Sequence, residues 1–255
     1  MSKVKLSSII IAKNEEANVR RCLDSQIGVI DDIVLLIDSS STDNTFNYAS
    51  EYPGINCEIT DWKGYGNTKN FALSKTKNEW VLWIDADEEI TPELKTELLL
   101  FKDSAPQFNA YSIARRAYFL GKWIKHSGWY PSKVVRLFNK NYAAFNNKPV
   151  HEGLNVQGKI SDLKNDLNHF TDPTIEHYFK KLNCYTSLAA KELFDKGRKT
   201  SICDFLIRPL FLFLKMYIFK LGFLDGLTGF ILALFSSFYV FTKYVKLWEL
   251  NRNKP

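Results

Sequence analysis

Two aspartates follow a strongly strand-like apolar run, at a spacing that suits metal binding. Residues 80–84 read W-V-L-W-I, and Asp85 and Asp87 come next, followed directly by Glu88 and Glu89. Carboxylates this close repel one another unless a cation lies between them. Oxygen ligands suit Mg²⁺ or Mn²⁺, which keep coordination positions open for substrate phosphates. The alternative is the acidic first turn of a helix that is capped by residues 91–93.

Two earlier predicted strands also end in polar side chains. The apolar residues 4–12 end before Asn14 and Glu15, and residues 31–37 lead to Asp38. Carboxyl ends of parallel strands meet along one edge of a sheet, where open α/β folds bind their ligands. Three strand ends that converge on one crevice favour a nucleotide-type site.

Strands alternate with helices at short intervals through the first part of the chain. This pattern predicts an α/β fold with a doubly wound, mostly parallel sheet and helices on both faces. Residues 64–67 are predicted as a loop before the third helix. The predicted strands are 4–12, 31–37, 55–60, 80–84, 109–117, 134–138 and 163–169, and the predicted helices are 17–26, 44–51, 68–75 and 174–194.

The last quarter of the chain is apolar and basic. Residues 200–255 hold seven basic and three acidic side chains, so they carry +4 of the net charge of +6. This combination indicates an anionic membrane surface as partner and not nucleic acid. Residues 226–242 are uncharged but shorter than the roughly 20 residues of a spanning helix. An interfacial helical pair, short spanning helices and a soluble dimerisation helix all stay open, and we predict a boundary between segments 1–200 and 201–255.

The remaining sequence signals narrow the class of protein. The four cysteines form no C-x-x-C pair, and the first apolar run is too short for a signal peptide, so we expect a cytoplasmic catalytic domain. Gly64 and Gly66 lack the third glycine of a dinucleotide fingerprint. Glu89 occupies the position at which an aspartyl phosphohydrolase is expected to have Thr or Val. The sequence therefore disfavours an NAD-binding oxidoreductase and an aspartyl phosphohydrolase.

Four stretches, taken in order, resemble family 2 glycosyltransferases of the GT-A fold. They are S-I-I-I-A-K-N-E-E (8–16), D-S-S-S-T-D-N-T (38–45), K-G-Y-G-N-T-K-N-F-A-L (63–73) and W-I-D-A-D-E (83–88). Five later stretches resemble, more narrowly, the bacterial lipopolysaccharide core glucosyltransferase-like enzymes. These are H-S-G-W-Y-P (126–131), R-L-F (136–138), V-H-E (150–152), R-P-L-F (208–211) and G-F-L-D-G-L-T-G-F (222–230).

The resemblance implies a UDP-sugar donor and a divalent metal, Mn²⁺ or Mg²⁺. Asp87 is the implied metal ligand, and Asp85 is the implied contact to the ribose or to groups around the metal. A cation at Lys69 would offset diphosphate charge, although a solvated helix lysine is the alternative. The implied donor-binding residues are Ala12, Asn14, Glu15, Asp38, Lys69 and Asp85.

The resemblance also implies inversion at the anomeric carbon, which needs one general base on the acceptor hydroxyl. Glu152 is the expected base, and Glu88 and Glu89 are its rivals. His151 is open as metal ligand, phosphate contact or structural residue. Several further residues have both a binding and a structural interpretation. Trp129 and Tyr130 are sugar-stacking or core residues, Arg115, Arg116 and Arg136 are phosphate contacts or ion pairs, and His126 and His169 are expected to be structural.

The predicted function is an inverting, metal-dependent glycosyltransferase on the cytoplasmic face of the bacterial inner membrane, peripheral or monotopic. It would move a hexose, expected to be glucose, from a UDP-sugar to a lipid-anchored glycan such as the lipopolysaccharide core. A polyprenyl phosphate is the alternative acceptor. A protein that binds sugar nucleotides without turnover is an alternative from a different class.

Overall fold

The computed structural model describes residues 3–146 and 153–253. The strands are β1 (Leu6–Ala12), β2 (Asp32–Asp38), β3 (Asn56–Thr60), β4 (Trp80–Trp83), β5 (Glu88–Ile90), β6 (Ala110–Phe119), β7 (Lys122–Trp123), β8 (Ser132–Asn139), β9 (Ala143–Phe145), β10 (Leu154–Val156) and β11 (Ile160–Asp172). The helices are α1 (Val19–Gln26), α2 (Thr45–Ser50), α3 (Tyr65–Ser74), α4 (Pro92–Lys102), α5 (Ile175–Asp195), α6 (Ile202–Phe205), α7 (Ile207–Leu214) and α8 (Gly226–Arg252).

The chain forms two compact units. The first unit contains residues 1–115 and 132–169, and the second contains residues 116–131 and 170–255. Helix α5, which the sequence placed with segment 1–200, therefore belongs to the second unit. Whether segments 1–200 and 201–255 are domains that fold independently stays a prediction.

The main sheet has the strand order β3-β2-β1-β4-β8-β6-β11-β5, and β9 pairs with β10 in a separate sheet. Strands β3, β2, β1 and β4 are parallel. Strand β8 runs antiparallel to β4, and β5 runs antiparallel to β11. The chain adds β2 and β3 on one side of β1 and β4 on the other, so β1 and β4 flank a switch in strand order. Ligand crevices of open α/β sheets form at such a switch, and the predicted α/β class is confirmed.

Helices cover both faces of the parallel strands, because alternate residues of each strand point to opposite faces. Leu6 and Ile10 of β1 lie in one buried cluster with Leu23 of α1 and Leu94 of α4. Ile9 lies in a second buried cluster, together with residues of α3. Strand β1 is thus buried on both faces, as parallel strands usually are.

The second unit is organised around a buried aspartate. Asp225 is 3% exposed and accepts hydrogen bonds from the backbone N–H of Lys125 (3.3 Å) and of His126 (2.9 Å). Nδ1 of His126 lies 3.0 Å from Oδ1 of Asp225, and Nζ of Lys122 donates to the Asp225 carbonyl at 2.6 Å. The H-S-G-W-Y-P and G-F-L-D-G stretches are therefore bonded to each other.

Among residues 3–146 and 153–253, one helical segment has the length and apolar composition to cross a membrane. It is Gly222–Arg252, which consists of a short 3-10 helix (Gly222–Asp225) followed by α8. Its most apolar 18 residues have a mean hydropathy of 1.6, and 22% of them are buried.

The structure decides between the two interpretations of the acidic stretch. Helix α4 does begin at the predicted cap, because Thr91 Oγ1 accepts a hydrogen bond from Leu94 N at 3.2 Å. Strand β5, which was not predicted, separates Asp85 and Asp87 from that helix. The two aspartates therefore lie in a turn between strands and not in the first turn of a helix.

The prediction that residues 64–67 form a loop was wrong. Helix α3 begins at Tyr65, and Gly64 precedes it with φ of 86°. A side chain there would be strained, so the glycine provides the turn into the helix.

Candidate functional site

The loops after β1 and β2 are held together by hydrogen bonds between side chains and backbone. Asn14 Oδ1 accepts a hydrogen bond from Thr42 N at 2.8 Å, and Glu15 N donates to Thr45 Oγ1 at 2.8 Å. Asn14 has φ of 55°, a left-handed conformation that asparagine adopts more readily than most residues. The structure thus brings together two of the predicted strand ends.

Asp38, at the end of β2, has a buried carboxylate with a fixed orientation. It accepts hydrogen bonds from the backbone N (2.8 Å) and hydroxyl (2.6 Å) of Ser40, and Lys13 Nζ lies 3.3 Å away. The hydrogen bonds from Ser40 and the cation of Lys13 lower the pKa of Asp38, against its burial. The carboxylate is therefore charged at neutral pH.

Asp85 is held by three groups. Its Oδ2 pairs with Nη2 of Arg136 at 2.5 Å, its Oδ1 accepts from Trp83 Nε1 at 3.1 Å, and its backbone N donates to Glu88 Oε2 at 3.0 Å. Burial opposes ionisation, but the charge of Arg136 outweighs it and lowers the pKa of Asp85 to about 2. The side chain of Asp85 is 39% exposed, so a ligand can still reach the carboxylate.

Arg136 on β8 is a buried cation, 1% exposed, that joins two acids. Its Nη2 also pairs with Glu88 Oε1 at 2.5 Å, and Glu88 is fully buried. The guanidinium lies 4.1 Å from the ring centre of Trp83. Among the described residues, Nε and Nη1 of Arg136 have no hydrogen-bond partner. Burial raises the pKa of Glu88, and the charge of Arg136 offsets part of this effect. Nη1 of Arg115 lies 3.7 Å from the same carboxylate oxygen.

Asp87 faces a histidine from a distant part of the chain. Nε2 of His169 lies 3.3 Å from Oδ2 of Asp87, and the two side chains are 18% and 23% exposed. His169 pairs with Glu88 in the antiparallel register of β11 and β5. A strand of three residues thus places the imidazole beside the acidic turn, which the sequence did not indicate because the two segments lie 82 positions apart.

Negative charge accumulates around Glu15. Burial, together with the charges of Asp87, Asp43 and Asp85, raises the pKa of Glu15 to about 7, against a hydrogen bond from Asn18. The loop after β1 therefore faces the acidic turn after β4. This is a region where a cation would relieve repulsion between carboxylates.

Lys69 lies inside the first unit, 4% exposed. Its Nζ lies 3.9 Å from the ring centre of Trp83, with the rings of Tyr65 and Phe145 at 5.5 and 5.6 Å. Trp83 therefore contacts two cations, Lys69 and Arg136. The positive charge of Lys69 also contributes to the low pKa of Asp85.

The other predicted site residues lie in different environments. Ala12 is buried at the end of β1. Trp129 packs partly buried against Phe119, and Tyr130 contacts Trp123 edge to face at 5.4 Å, all within the second unit. Glu89 accepts a hydrogen bond from Asn168 at 2.9 Å. His151 and Glu152 lie outside the described residues.

Among residues 3–146 and 153–253, no group of three or more His, Cys, Asp or Glu side chains has the arrangement of a metal site. The pair of Asp87 and His169 supplies one oxygen and one nitrogen donor within 3.3 Å. Substrate phosphates usually provide further ligands to ions of this kind. The donor set therefore fits a metal that binds together with its substrate.

Comparisons with known proteins identify relatives of the chain. The sequence model of glycosyl transferase family 2 matches residues 7–158. An uncharacterised glycosyltransferase of Rickettsia typhi is 32% identical, and the match covers 97% of this chain and 88% of that protein. The lipopolysaccharide core biosynthesis glycosyltransferase LpsC of Rhizobium meliloti is 27% identical, with 97% and 93% covered.

A solved structure matches the fold. The mannosyltransferase PcManGT of Pyrobaculum calidifontis, in complex with GDP-mannose and Mn²⁺, superposes with a TM-score of 0.54. Its sequence is 16% identical, and the superposition covers 99% of this chain and 88% of that one. At this level of identity the likeness concerns the fold alone.

Proposed function

Since the chain belongs to glycosyl transferase family 2 and is a glycosyltransferase, we propose that it transfers a hexose from a UDP-sugar to a lipid-anchored glycan, with inversion. The name of LpsC supports the lipopolysaccharide core as acceptor. Glucose is the proposed sugar. PcManGT binds GDP-mannose, so the nucleotide is the first property to test.

The observation that carries this proposal is the turn at Asp85 and Asp87. It lies beside the switch in strand order, and a buried arginine fixes one aspartate while the second stays accessible next to a histidine. In the proposed site, Asp38 accepts hydrogen bonds from the uracil or the ribose. Asp85 binds the ribose, and the loop 12–15 contacts the nucleoside.

Asp87 and His169 are the proposed metal-holding residues. A divalent ion bound there supplies Lewis-acid stabilisation for the charge that develops on the leaving nucleoside diphosphate. Carboxylates suit Mg²⁺ and Mn²⁺, whereas imidazole suits transition metals, so this donor pair favours Mn²⁺. The carboxylates of Glu15 and Asp85 add negative charge to the same region.

Glu152 is the proposed general base for the acceptor hydroxyl. Its two rivals are less suitable in this structure. Glu88 is fully buried and paired with Arg136, so its carboxylate cannot reach an acceptor. Glu89 accepts a hydrogen bond from Asn168 and lies in the strand that follows the turn. A base located outside the acidic turn also leaves that turn to the donor and the metal.

The proposed location is the cytoplasmic face of the inner membrane, with the enzyme peripheral or monotopic. The apolar helix Gly222–Arg252 supports membrane contact by its length and composition. A lipid-anchored acceptor also presents its sugars at the bilayer surface, so an enzyme held there meets a high local concentration of substrate.

Donor binding by the purified chain tests the proposal directly. Calorimetry with UDP-glucose, other UDP-hexoses and GDP-mannose, each with and without Mn²⁺, is expected to show tightest binding for a UDP-sugar with metal. Asp87→Asn is expected to weaken Mn²⁺-dependent binding roughly 10–100-fold without a change in melting temperature. Asp103→Asn, at an exposed ion pair with Lys3, is the matched control. Absence of binding for every donor, with and without metal, would contradict the proposal.

A further inference from the structure

Helix α7 is apolar apart from Arg208, but only one side of it is covered. Leu212 and Phe213 pack, partly buried, in the core of the second unit. Leu210 and Phe211 point away from that core and are 59% and 60% exposed. An apolar helix face is normally buried, so the outer face of α7 lacks a covering layer.

Exposed apolar side chains also occur before and after α7 in the chain. We define the apolar surface by six exposed side chains, which are 59–73% accessible: Leu206, Ile207, Leu210, Phe211, Phe219 and Leu227. The side chains of Leu206, Ile207, Leu210 and Phe211 line a shallow groove together with Leu214. Exposed apolar patches that are rimmed by polar or charged groups mark sites of protein or membrane contact.

The charged groups around this surface are positive. Residues 205–224 contain Arg208, Lys215 and Lys220 and no acid. The flanking acids are buried: Asp204 pairs with Nε of Arg208 at 2.7 Å, and Asp225 accepts a hydrogen bond from His126 N at 2.9 Å. The exposed Lys215 and Lys220 therefore carry the remaining charge. The accessible charge beside the apolar surface is therefore positive. Positive charge favours a bilayer with anionic headgroups over one whose headgroups carry no net charge.

Helix α8 is fixed along α5 and cannot enter a bilayer alone. The ring of Phe179 lies 5.1 Å from that of Phe235, and Lys246 Nζ donates to Asn183 Oδ1 at 2.7 Å and to Thr186 Oγ1 at 2.8 Å. If α8 crossed the membrane, it would take α5 with it. Helix α5 carries exposed charged groups such as the Glu176–Lys180 pair, and charges are costly in the bilayer core.

We propose that the apolar surface of the second unit docks on an anionic phospholipid bilayer in the plane of the membrane, and that α8 does not cross it. The proposed lipid-anchored acceptor gives this docking its function. The docking surface itself is inferred from exposed apolar and basic side chains and does not depend on the acceptor. The partner is the lipid surface itself, because apolar side chains flanked by cations insert into the headgroup boundary while the cations contact lipid phosphates.

Vesicle flotation with the full chain tests the docking. We expect binding to phosphatidylglycerol–phosphatidylethanolamine vesicles, weaker binding to phosphatidylcholine, and release by high NaCl. Leu210→Ser and Phe211→Ser are each expected to lower the partition coefficient about tenfold or more. Leu100→Ser, an exposed leucine of α4 in the first unit, is the matched control and should bind as wild type. The double variant Lys215→Gln with Lys220→Gln leaves the apolar surface unchanged. It should reduce the dependence of vesicle binding on NaCl concentration.

Three outcomes would overturn the inference. The first is equal binding to both vesicle types by all variants. The second is a lipid-free dimer that Phe211→Ser converts to a monomer, since the surface would then belong to a second copy. The third concerns topology: Asn253→Cys, with Cys184 and Cys203 replaced by Ser, should react with an impermeant maleimide only after spheroplast lysis. Reaction in intact spheroplasts would mean that α8 crosses. Flotation needs no donor or turnover, so its result is separate from that of the donor-binding test.

Discussion

Two buried acidic groups of this protein differ in what surrounds them. Asp225 in the second unit accepts hydrogen bonds from two backbone N–H groups and faces His126. Glu88 in the first unit, equally buried, depends on the guanidinium of Arg136. Next to Glu88, Asp85 and Asp87 are partly accessible.

The difference distinguishes a structural acid from the proposed binding site. Backbone N–H groups satisfy the carboxylate oxygens of Asp225, which thereby holds two loops together. At the acidic turn, several carboxylates share one region, and Glu15 has its pKa raised to about 7 by burial and by their charges. Burial of an acidic side chain is therefore not enough to identify a functional residue in this chain. A better indication is a group of partly accessible carboxylates that lie close enough to repel one another.

The largest expected effect concerns Glu152, the proposed general base, which lies outside the acidic stretch 85–89 in the sequence. Glu152→Gln is expected to lower transfer to a hydroxyl acceptor by roughly 10²–10⁴-fold, the usual contribution of a general base. Donor affinity should stay unchanged, because the variant leaves the acidic turn intact. Steady-state UDP release with lipid extract measures this. Glu89→Gln is the control, and full activity of Glu152→Gln would favour a polyprenyl phosphate acceptor, which needs no base.

Arg136 should affect both stability and donor binding. Arg136→Met removes the closest cation from the fully buried Glu88 carboxyl and leaves only Arg115, whose Nη1 lies 3.7 Å away. The variant is expected to destabilise the fold by about 3–5 kcal/mol in urea unfolding. The double variant Arg136→Met with Glu88→Leu removes both members of the buried pair and should recover much of that loss. In the double variant, Asp85 is still exposed but has lost the hydrogen bond from Arg136 that orients it, so donor affinity should stay low. Recovery of donor affinity in the double variant would show that Arg136 has no positioning role.

Asp225 should affect stability only. Asp225→Asn keeps the size of the side chain but weakens the bonds to His126 and the backbone, with an expected cost of about 1–3 kcal/mol. Calorimetric donor binding at low temperature, where the variant is folded, should match wild type. A change in donor affinity comparable to that of Asp87→Asn would remove the distinction between the two acidic groups.

The smallest effect is a pH dependence at Glu15. Its pKa in the folded protein, about 7, lies above the ordinary value of 4.5, so the folded state binds this proton more tightly than the unfolded state. Stability should therefore fall as pH rises from about 4.5 through 7. Glu15→Gln removes this loss and should melt higher than wild type at pH 8 but not at pH 4, measured in EDTA. Glu79→Gln, an exposed acid, is the control, and an equal shift at both pH values would contradict the assignment.

Local sequence patterns predicted the parallel strands and the helices between them. The apolar runs of β1, β2 and β4 need burial on both faces, which only such a sheet provides. Strand β5 escaped prediction because Glu88-Glu89-Ile90 is short and acidic, and its conformation depends on pairing with β11. Of the two interpretations of Arg136, a phosphate contact or an ion pair, the structure shows a buried ion pair with Asp85 and Glu88. The position of Arg136 inside V-V-R-L-F was the available signal, since a charged residue in a central strand needs a buried partner.

The bonds between the loops after β1 and β2 have a consequence for binding kinetics. With Asn14 bonded to Thr42 and Glu15 bonded to Thr45, the two loops that form the proposed nucleoside side of the site are held in place without a donor. A preorganised site loses little conformational entropy on binding. Donor association should therefore be limited by diffusional encounter, and amide hydrogen exchange in both loops should be slow even without nucleotide.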